Sequence, residues 1–207
     1  MKEFFVRKKM IGVLILWLAL AGCVTKASAP TNFYMIAPLI PAVQEPSGAM
    51  EKGQTVIAIM NVRIPSYLDR NQIVTRLNET EYGLAEFDQW AEPIDDNLTR
   101  AIAQNLSRLL AADAADVFPA AREVPHNYSI GVEVIRLDGK LGDQVTLTAR
   151  WAIFGEDQDD LIVLRKFEHQ EKTEDDTYKG LVIAQSRTVE KLSQDIAAAI
   201  KEILKKT

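Results

Sequence analysis

The only cysteine of this 207-residue chain, Cys23, directly follows a short apolar segment near the N-terminus. Four basic residues and one acidic residue give residues 1–9 a charge of +3, and an apolar run from Met10 to Ala21 follows. About a dozen apolar residues are too few for a spanning helix, which needs about 20. A basic start followed by a short apolar run is typical of a secretory signal peptide.

The residues before the cysteine are Leu20, Ala21 and Gly22, and together with Cys23 they resemble the bacterial lipobox. Small residues at this point let a signal peptidase reach the bond before the cysteine, whose thiol is then lipidated. We therefore predict a lipoprotein signal peptide over residues 1–22 and acyl chains, such as palmitate, on Cys23. Several acyl chains on one residue give a stable membrane anchor. Two alternatives are a plain secretory signal and an uncleaved anchor in which Cys23 is incidental.

The net charge of the mature chain, residues 23–207, limits which kinds of molecule it could bind. The complete chain carries −5 and residues 1–22 carry +3, so the mature chain carries −8. Nucleic-acid binding draws on clustered Lys and Arg, so we predict no nucleic-acid partner. One cysteine cannot form an internal disulfide or a zinc ribbon. Residue 24 is Val rather than the Asp that commonly retains bacterial lipoproteins at the inner membrane, which favours the outer membrane.

Hydropathy patterns predict one α+β domain over residues 33–207, preceded by a short tether over residues 23–32. Alternating or apolar runs predict strands, and helical spacing predicts two long helices. The turn between the first two long C-terminal strands is predicted at residues 138–142. The predicted strands are residues 33–37, 55–64, 72–77, 82–90, 128–137, 145–154 and 161–171, and the predicted helices are residues 94–112 and 178–206. We expect an antiparallel sheet with both helices on one face.

Residues that could carry chemistry are scarce. The two histidines, His126 and His169, belong to no close His/carboxylate ligand motif, and neither a nucleophile elbow nor a phosphate-binding glycine loop is present. We predict no catalytic residue, metal or cofactor, and a protein that is not an enzyme. A pair of carboxylates for glycoside hydrolysis stays open, because the fold sets their approach.

The segment from Ile64 to Arg76 is the most informative part of the mature chain. It leaves a predicted strand, turns at Pro65 and enters another strand near Gln72. One interpretation is a loop whose tyrosine and leucine cover the end of the sheet. The other is a contact surface for a subunit or partner, since Tyr and Arg are favoured at interfaces. The hypothetical contact residues are Tyr67, Leu68, Asp69 and Arg70.

Three segments carry a resemblance to a known family. The residues from Ile64 to Arg76 resemble the IPxYLDRxQIVTR signature of the PqiC/YmbA-type lipoproteins, which are auxiliary components of ABC-type or MCE-type transport systems. The segment Phe33–Pro38 resembles the start of that family's domain, and Trp90–Ile94 with Asn97 and Leu98 resembles its WAEPL motif. Met35-Ile36 stands where a Thr-Leu pair is more usual.

This resemblance implies a non-catalytic outer-membrane lipoprotein that faces the periplasm. It implies an MCE-domain protein that bridges the periplasm and an inner-membrane transporter subunit as partners, in moving lipid between membranes and maintaining envelope integrity. A ring-like homo-oligomer is the family expectation. Two alternatives stay open: a lipid-tethered periplasmic hydrolase and a lipoprotein that activates cell-wall synthesis.

Overall fold

The computed structural model describes residues 29–38, 55–113, 115–120, 124–156 and 160–206. The predicted signal peptide, Leu20, Ala21, Gly22 and Cys23, and most of the tether lie outside these residues. Thr31–Thr207 forms one compact unit. In the described ranges, no helix combines the length and the apolar character that crossing a membrane requires.

The described residues form eight strands, two α-helices and one short 3-10 helix. The strands are β1 (Asn32–Tyr34), β2 (Thr55–Ile59), β3 (Gln72–Arg76), β4 (Tyr82–Trp90), β5 (Ala115–Pro119), β6 (Tyr128–Gly139), β7 (Gln144–Phe154) and β8 (Leu161–Lys172). The helices are α1 (Ile94–Leu110) and α2 (Tyr178–Leu204), and the 3-10 turn Ala111–Asp113 follows α1.

The strands are arranged in two sheets. The smaller sheet has the order β1-β4-β3, and the larger has the order β5-β2-β6-β7-β8. The long strands β6, β7 and β8 pair antiparallel, whereas β1 runs parallel to β4 and β2 runs parallel to both of its neighbours. The two sheets approach each other where β3 meets β6.

Each helix has an apolar face that lies in the hydrophobic core. In α1 this face includes Leu98, Ile102 and Leu106, which are almost fully buried. In α2 the buried residues recur through most of its length, and Thr177 accepts a capping hydrogen bond from the backbone N–H of Gly180 at 3.0 Å. The helices pack against each other, and α2 also contacts β7 and β8.

The predicted α+β class, both helices and a strand in each of the seven predicted ranges are confirmed, although β1 ends at Tyr34 rather than residue 37 and β2 ends at Ile59 rather than residue 64. The sheet differs from the expectation in dividing into two and in including parallel pairs. The sequence pattern does not predict β5, because five residues that end in Pro119 carry little periodic signal. The sequence pattern predicts Asp138 and Gly139 in a turn, but both belong to β6, and the turn begins at Lys140.

Candidate functional site

The Tyr67 loop, defined as residues 65–71, is the second part of the connection from β2 to β3 and contains a tight turn. The Leu68 N–H donates to the carbonyl oxygen of Pro65 at 2.9 Å, which closes the turn. Leu68 is 2% exposed and belongs to the core, whereas Tyr67 is half-buried against it. Asp69 and Arg70 are exposed. Of the four predicted contact residues, Leu68 therefore anchors the loop in the core, Tyr67 is half-buried, and Asp69 and Arg70 are charged side chains at the surface.

The Tyr67 side chain is hydrogen-bonded to a buried carboxylate near the end of β6. The Tyr67 hydroxyl donates to Oδ2 of Asp138 at 2.9 Å, and the Asp138 side chain has no exposed surface. Arg76 on β3 donates to both oxygens of Asp138, from Nε at 2.8 Å and from Nη2 at 3.1 Å. Arg136 adds a third cation–carboxylate contact, from Nε at 2.9 Å. We call Tyr67, Arg76, Arg136 and Asp138 the Asp138 cluster.

The β3–β4 hairpin is fixed to the same cluster through Tyr82. The rings of Tyr67 and Tyr82 lie 4.9 Å apart between centroids. The Arg76 guanidinium carbon lies 4.6 Å from the centre of the Tyr82 ring, within cation–π distance, and the guanidinium also donates to the Tyr82 hydroxyl. One carboxylate therefore holds the Tyr67 loop and the hairpin against the larger sheet.

Electrostatics keep Asp138 ionised. Burial alone would raise the pKa of Asp138, but hydrogen bonds from Arg76, Tyr67 and Arg136 outweigh it and hold that pKa below its ordinary value. Burial and the neighbouring Asp138 charge raise the pKa of Tyr67, so its hydroxyl stays protonated and able to donate. The hydrogen bond to Asp138 raises the pKa of Arg76. Two guanidinium groups and one carboxylate leave the cluster with a charge of +1.

The side chains of Asp69 and Arg70 are free to interact with a partner molecule. Within the described part of the chain, neither side chain has a hydrogen-bond or ion-pair partner. Leu68 lies in the core, so a partner cannot contact it at the surface. Tyr67 is hydrogen-bonded to Asp138, so only part of its ring is accessible to a partner. The surface that the loop offers is therefore an acidic and a basic side chain on a backbone held in place by Leu68 and Asp138.

The three segments that carry the family resemblance meet in the smaller sheet. Strand β1 pairs with the end of β4, where Tyr34 lies opposite Trp90. The Trp90 N–H donates to the carbonyl oxygen of Asn71 at 2.7 Å. Asn97 on α1 brackets the backbone of Ile36, accepting from its N–H at 2.7 Å and donating to its carbonyl oxygen at 3.2 Å. Residues distant in sequence therefore build one structural unit around the Tyr67 loop.

Sequence reasoning missed Asp138 and Arg136. Asp138 precedes a glycine, and the Asp-Gly pair is a common turn signal, which concealed a strand residue. Arg136 lies two positions earlier on the same strand. From the sequence alone, this Arg–Asp spacing fits a buried ion pair and a solvent-exposed strand face equally well. Among the described residues, no three His, Cys, Asp or Glu side chains come together as a possible metal site.

The family to which the chain belongs follows from its sequence as a whole. The family model of the ABC-type transport auxiliary lipoprotein component matches residues 37–197. The chain therefore belongs to this family of auxiliary lipoproteins of ABC-type transport systems.

Individual relatives agree with this assignment. The intermembrane transport lipoprotein PqiC of Escherichia coli K12 is 24% identical over 200 residues, which cover 95% of this chain and 99% of that protein. The protein of the same name from Shigella flexneri matches to the same extent.

Solved structures support the fold. The crystal structure of an uncharacterized protein matches with a TM-score of 0.68 at 22% identity, covering 83% of this chain and 99% of the other. A Xanthomonas campestris protein matches with a TM-score of 0.61 at 13% identity, covering 81% and 93%.

Proposed function

We propose that this protein is an outer-membrane lipoprotein, anchored through acyl chains on Cys23, that serves as a non-catalytic auxiliary subunit of an intermembrane lipid transport system. Its partners in this proposal are an MCE-domain protein that spans the periplasm, an inner-membrane transporter subunit and further copies of itself. The observation that carries the proposal is the family match over residues 37–197. Near full-length similarity to proteins named intermembrane transport lipoproteins supports it.

The chemistry of the Asp138 cluster favours a structural role over a catalytic one. A general acid at neutral pH needs a carboxyl group with a raised pKa, but the pKa of Asp138 is lowered. The donors from Tyr67, Arg76 and Arg136 also occupy both of its oxygens. This is the arrangement of a structural carboxylate that fixes neighbouring elements.

The Tyr67 loop is our candidate for the contact with the MCE-domain partner. A preorganised loop loses little conformational freedom on binding, so more of its interaction energy appears as affinity. The exposed pair Asp69 and Arg70 can form ion pairs with a partner of complementary charge, which mainly improves specificity and association rate. Replacing Tyr67 would disturb the Asp138 cluster itself, so Asp69 and Arg70 are the residues that test the contact.

The test is a pull-down of the MCE-domain partner by the double variant Asp69→Ala/Arg70→Ala. We expect capture to fall by about tenfold, equivalent to about 1.4 kcal/mol of binding free energy, with an unchanged unfolding midpoint. The double variant Lys166→Ala/Glu168→Ala is a matched control, because it removes one basic and one acidic exposed side chain from β8. Equal capture by both double variants and by wild type would refute the contact assignment.

A further inference from the structure

Along β1 and the two residues that follow it, Asn32 to Ile36, side chains alternate between contacts within the domain and the surface. Asn32 and Tyr34 donate hydrogen bonds to Oδ1 of Asp88, at 3.0 and 2.8 Å, and Ile36 is buried in the core. The intervening Phe33 and Met35 are 64% and 45% exposed. No other large apolar side chain in the described residues is as exposed as Phe33.

The exposure of Phe33 and Met35 is fixed by the interactions of their neighbours. Pairing with β4 holds the backbone from Asn32 to Tyr34, and Asn97 brackets Ile36 on both its N–H and its carbonyl oxygen. The Ala37 N–H donates to Oγ of Ser186 on α2 at 3.1 Å. Because side chains alternate along a strand, turning Phe33 inward would expel Tyr34 and break these contacts.

The position of this strand along the chain indicates what could cover its apolar surface. Ten residues lead from Cys23 to Phe33, which an extended chain spans in at most about 36 Å, and a flexible one typically in about 18 Å. An acylated Cys23 would therefore keep Phe33 close to the bilayer surface at all times. A short tether raises the effective concentration of a second contact to the millimolar range, so even a weak contact becomes populated.

We propose that Phe33 and Met35 insert into the interfacial region of the bilayer that holds the acyl chains of Cys23, as a second membrane contact made by the folded domain. The inference rests on the anchor in the proposed function. The contact is apolar, because a mature chain of charge −8 gains nothing from anionic headgroups. Added salt should therefore not weaken it, whereas salt screens and weakens an attraction between opposite charges.

The test uses the thiol chemistry of the full-length lipidated protein. An acylated Cys23 has no free thiol, so a single introduced cysteine can carry a polarity-sensitive fluorophore. Met35→Cys keeps the Phe33 ring in place and is the main probe, with Phe33→Cys as the second. Leu164→Cys is the matched control, because Leu164 on β8 is 63% exposed but belongs to the other sheet. The labelled proteins are reconstituted into phosphatidylethanolamine–phosphatidylglycerol vesicles with and without brominated acyl chains.

We expect brominated lipid to quench the probe at residue 35 about twofold or more, at high salt no less than at low salt, and to leave the probe at residue 164 unquenched. Equal quenching at the two positions would overturn the inference. A probe at residue 35 that is shielded from water but not quenched by lipid would also overturn it, in favour of a second copy or a partner protein. Thiol labelling of the wild type would show a free Cys23, which refutes the anchor and the inference with it. An unlabelled wild type with an unquenched probe refutes the inference alone.

Discussion

Asp138 connects side chains from two separate stretches of the chain at one buried point. Tyr67 lies in the turn that follows Pro65, Arg76 is the last residue of β3, and Arg136 lies two residues before Asp138 on β6. Removing one partner from a buried ionic network costs more than the network itself contributes, because the remaining charges are left unpaired. The free energy of unfolding should therefore be more sensitive to Asp138 than to the exposed acidic residues around it.

The variant Asp138→Asn should lower the free energy of unfolding at pH 7 by about 3 kcal/mol, measured by urea denaturation. The amide is nearly isosteric with the carboxylate but carries no charge to balance Arg76 and Arg136. Asp69→Asn is the matched control, since Asp69 is exposed, and its effect should stay within about 0.5 kcal/mol. Equal effects of the two variants would show that the cluster is not a stabilising network.

The same variant should lose its effect in acid. The pKa of Asp138 is lowered in the folded state from an ordinary value of 3.8, so its contribution to stability is complete above that value and disappears as pH falls through the lower folded-state pKa. The difference in free energy of unfolding between wild type and Asp138→Asn should therefore be constant from pH 5 to 7 and should shrink below about pH 4. A difference that grows on acidification would contradict this assignment.

Strand β6 contains two glycines with different structural demands. A Cβ on Gly139 would lie 2.4 Å from the carbonyl oxygen of Gln144 and 2.8 Å from Cα of Val145, both of which are backbone atoms. A Cβ on Gly131 would instead meet Cε2 of Phe154 at 3.7 Å, an ordinary van der Waals distance. The close approach of β6 and β7 next to Asp138 therefore requires glycine at position 139 but not at 131.

Gly139→Ala should lower the free energy of unfolding by about 2 kcal/mol, because backbone atoms cannot move aside without disturbing the β6–β7 ladder. Gly131→Ala is the control in the same strand, and its effect should stay within about 0.5 kcal/mol. Thermal or urea unfolding of the two variants checks the difference. If both substitutions had equal effects, the close approach at Gly139 would not limit the fold.

The sequence predicts some elements better than others for physical reasons. The long strand β7 and both helices bury one side over many residues, so their periodicity is visible locally. The parallel direction of β2 beside β6 depends on residues about 70 positions apart and leaves no local pattern. The Asp138 cluster is equally non-local. The residue types of the Tyr67 loop identify it as a candidate contact surface. Only the folded structure shows that the Leu68 side chain points into the core.

The proposed division of the whole molecule into an anchor and a folded domain makes a prediction of its own. The folded unit Thr31–Thr207 contains the entire described core, which begins at Ile36, so Cys23 should contribute nothing to its packing. Cys23→Ala should release the protein from the membrane fraction into the soluble fraction and leave its unfolding midpoint unchanged. Radiolabelled palmitate incorporation into wild type but not the variant is the accompanying measurement. A wild type that takes up no palmitate would refute lipid anchoring through Cys23.

The parallel pairing of β2 also has a consequence for the time course of folding. Thr55 lies opposite Ala115, and Ile57 lies opposite Tyr128, so both neighbours of this apolar strand are synthesised after it. As the chain emerges N-terminus first, one edge of β2 stays unpaired until Pro119 is available and the other edge until Ile130 is available. Pairings between distant residues form slowly, and an unpaired apolar strand is prone to aggregate in the interval. A chaperone that shields residues 55–59 during this interval would therefore raise the yield of folded protein more than one that acts on the later β6–β8 meander.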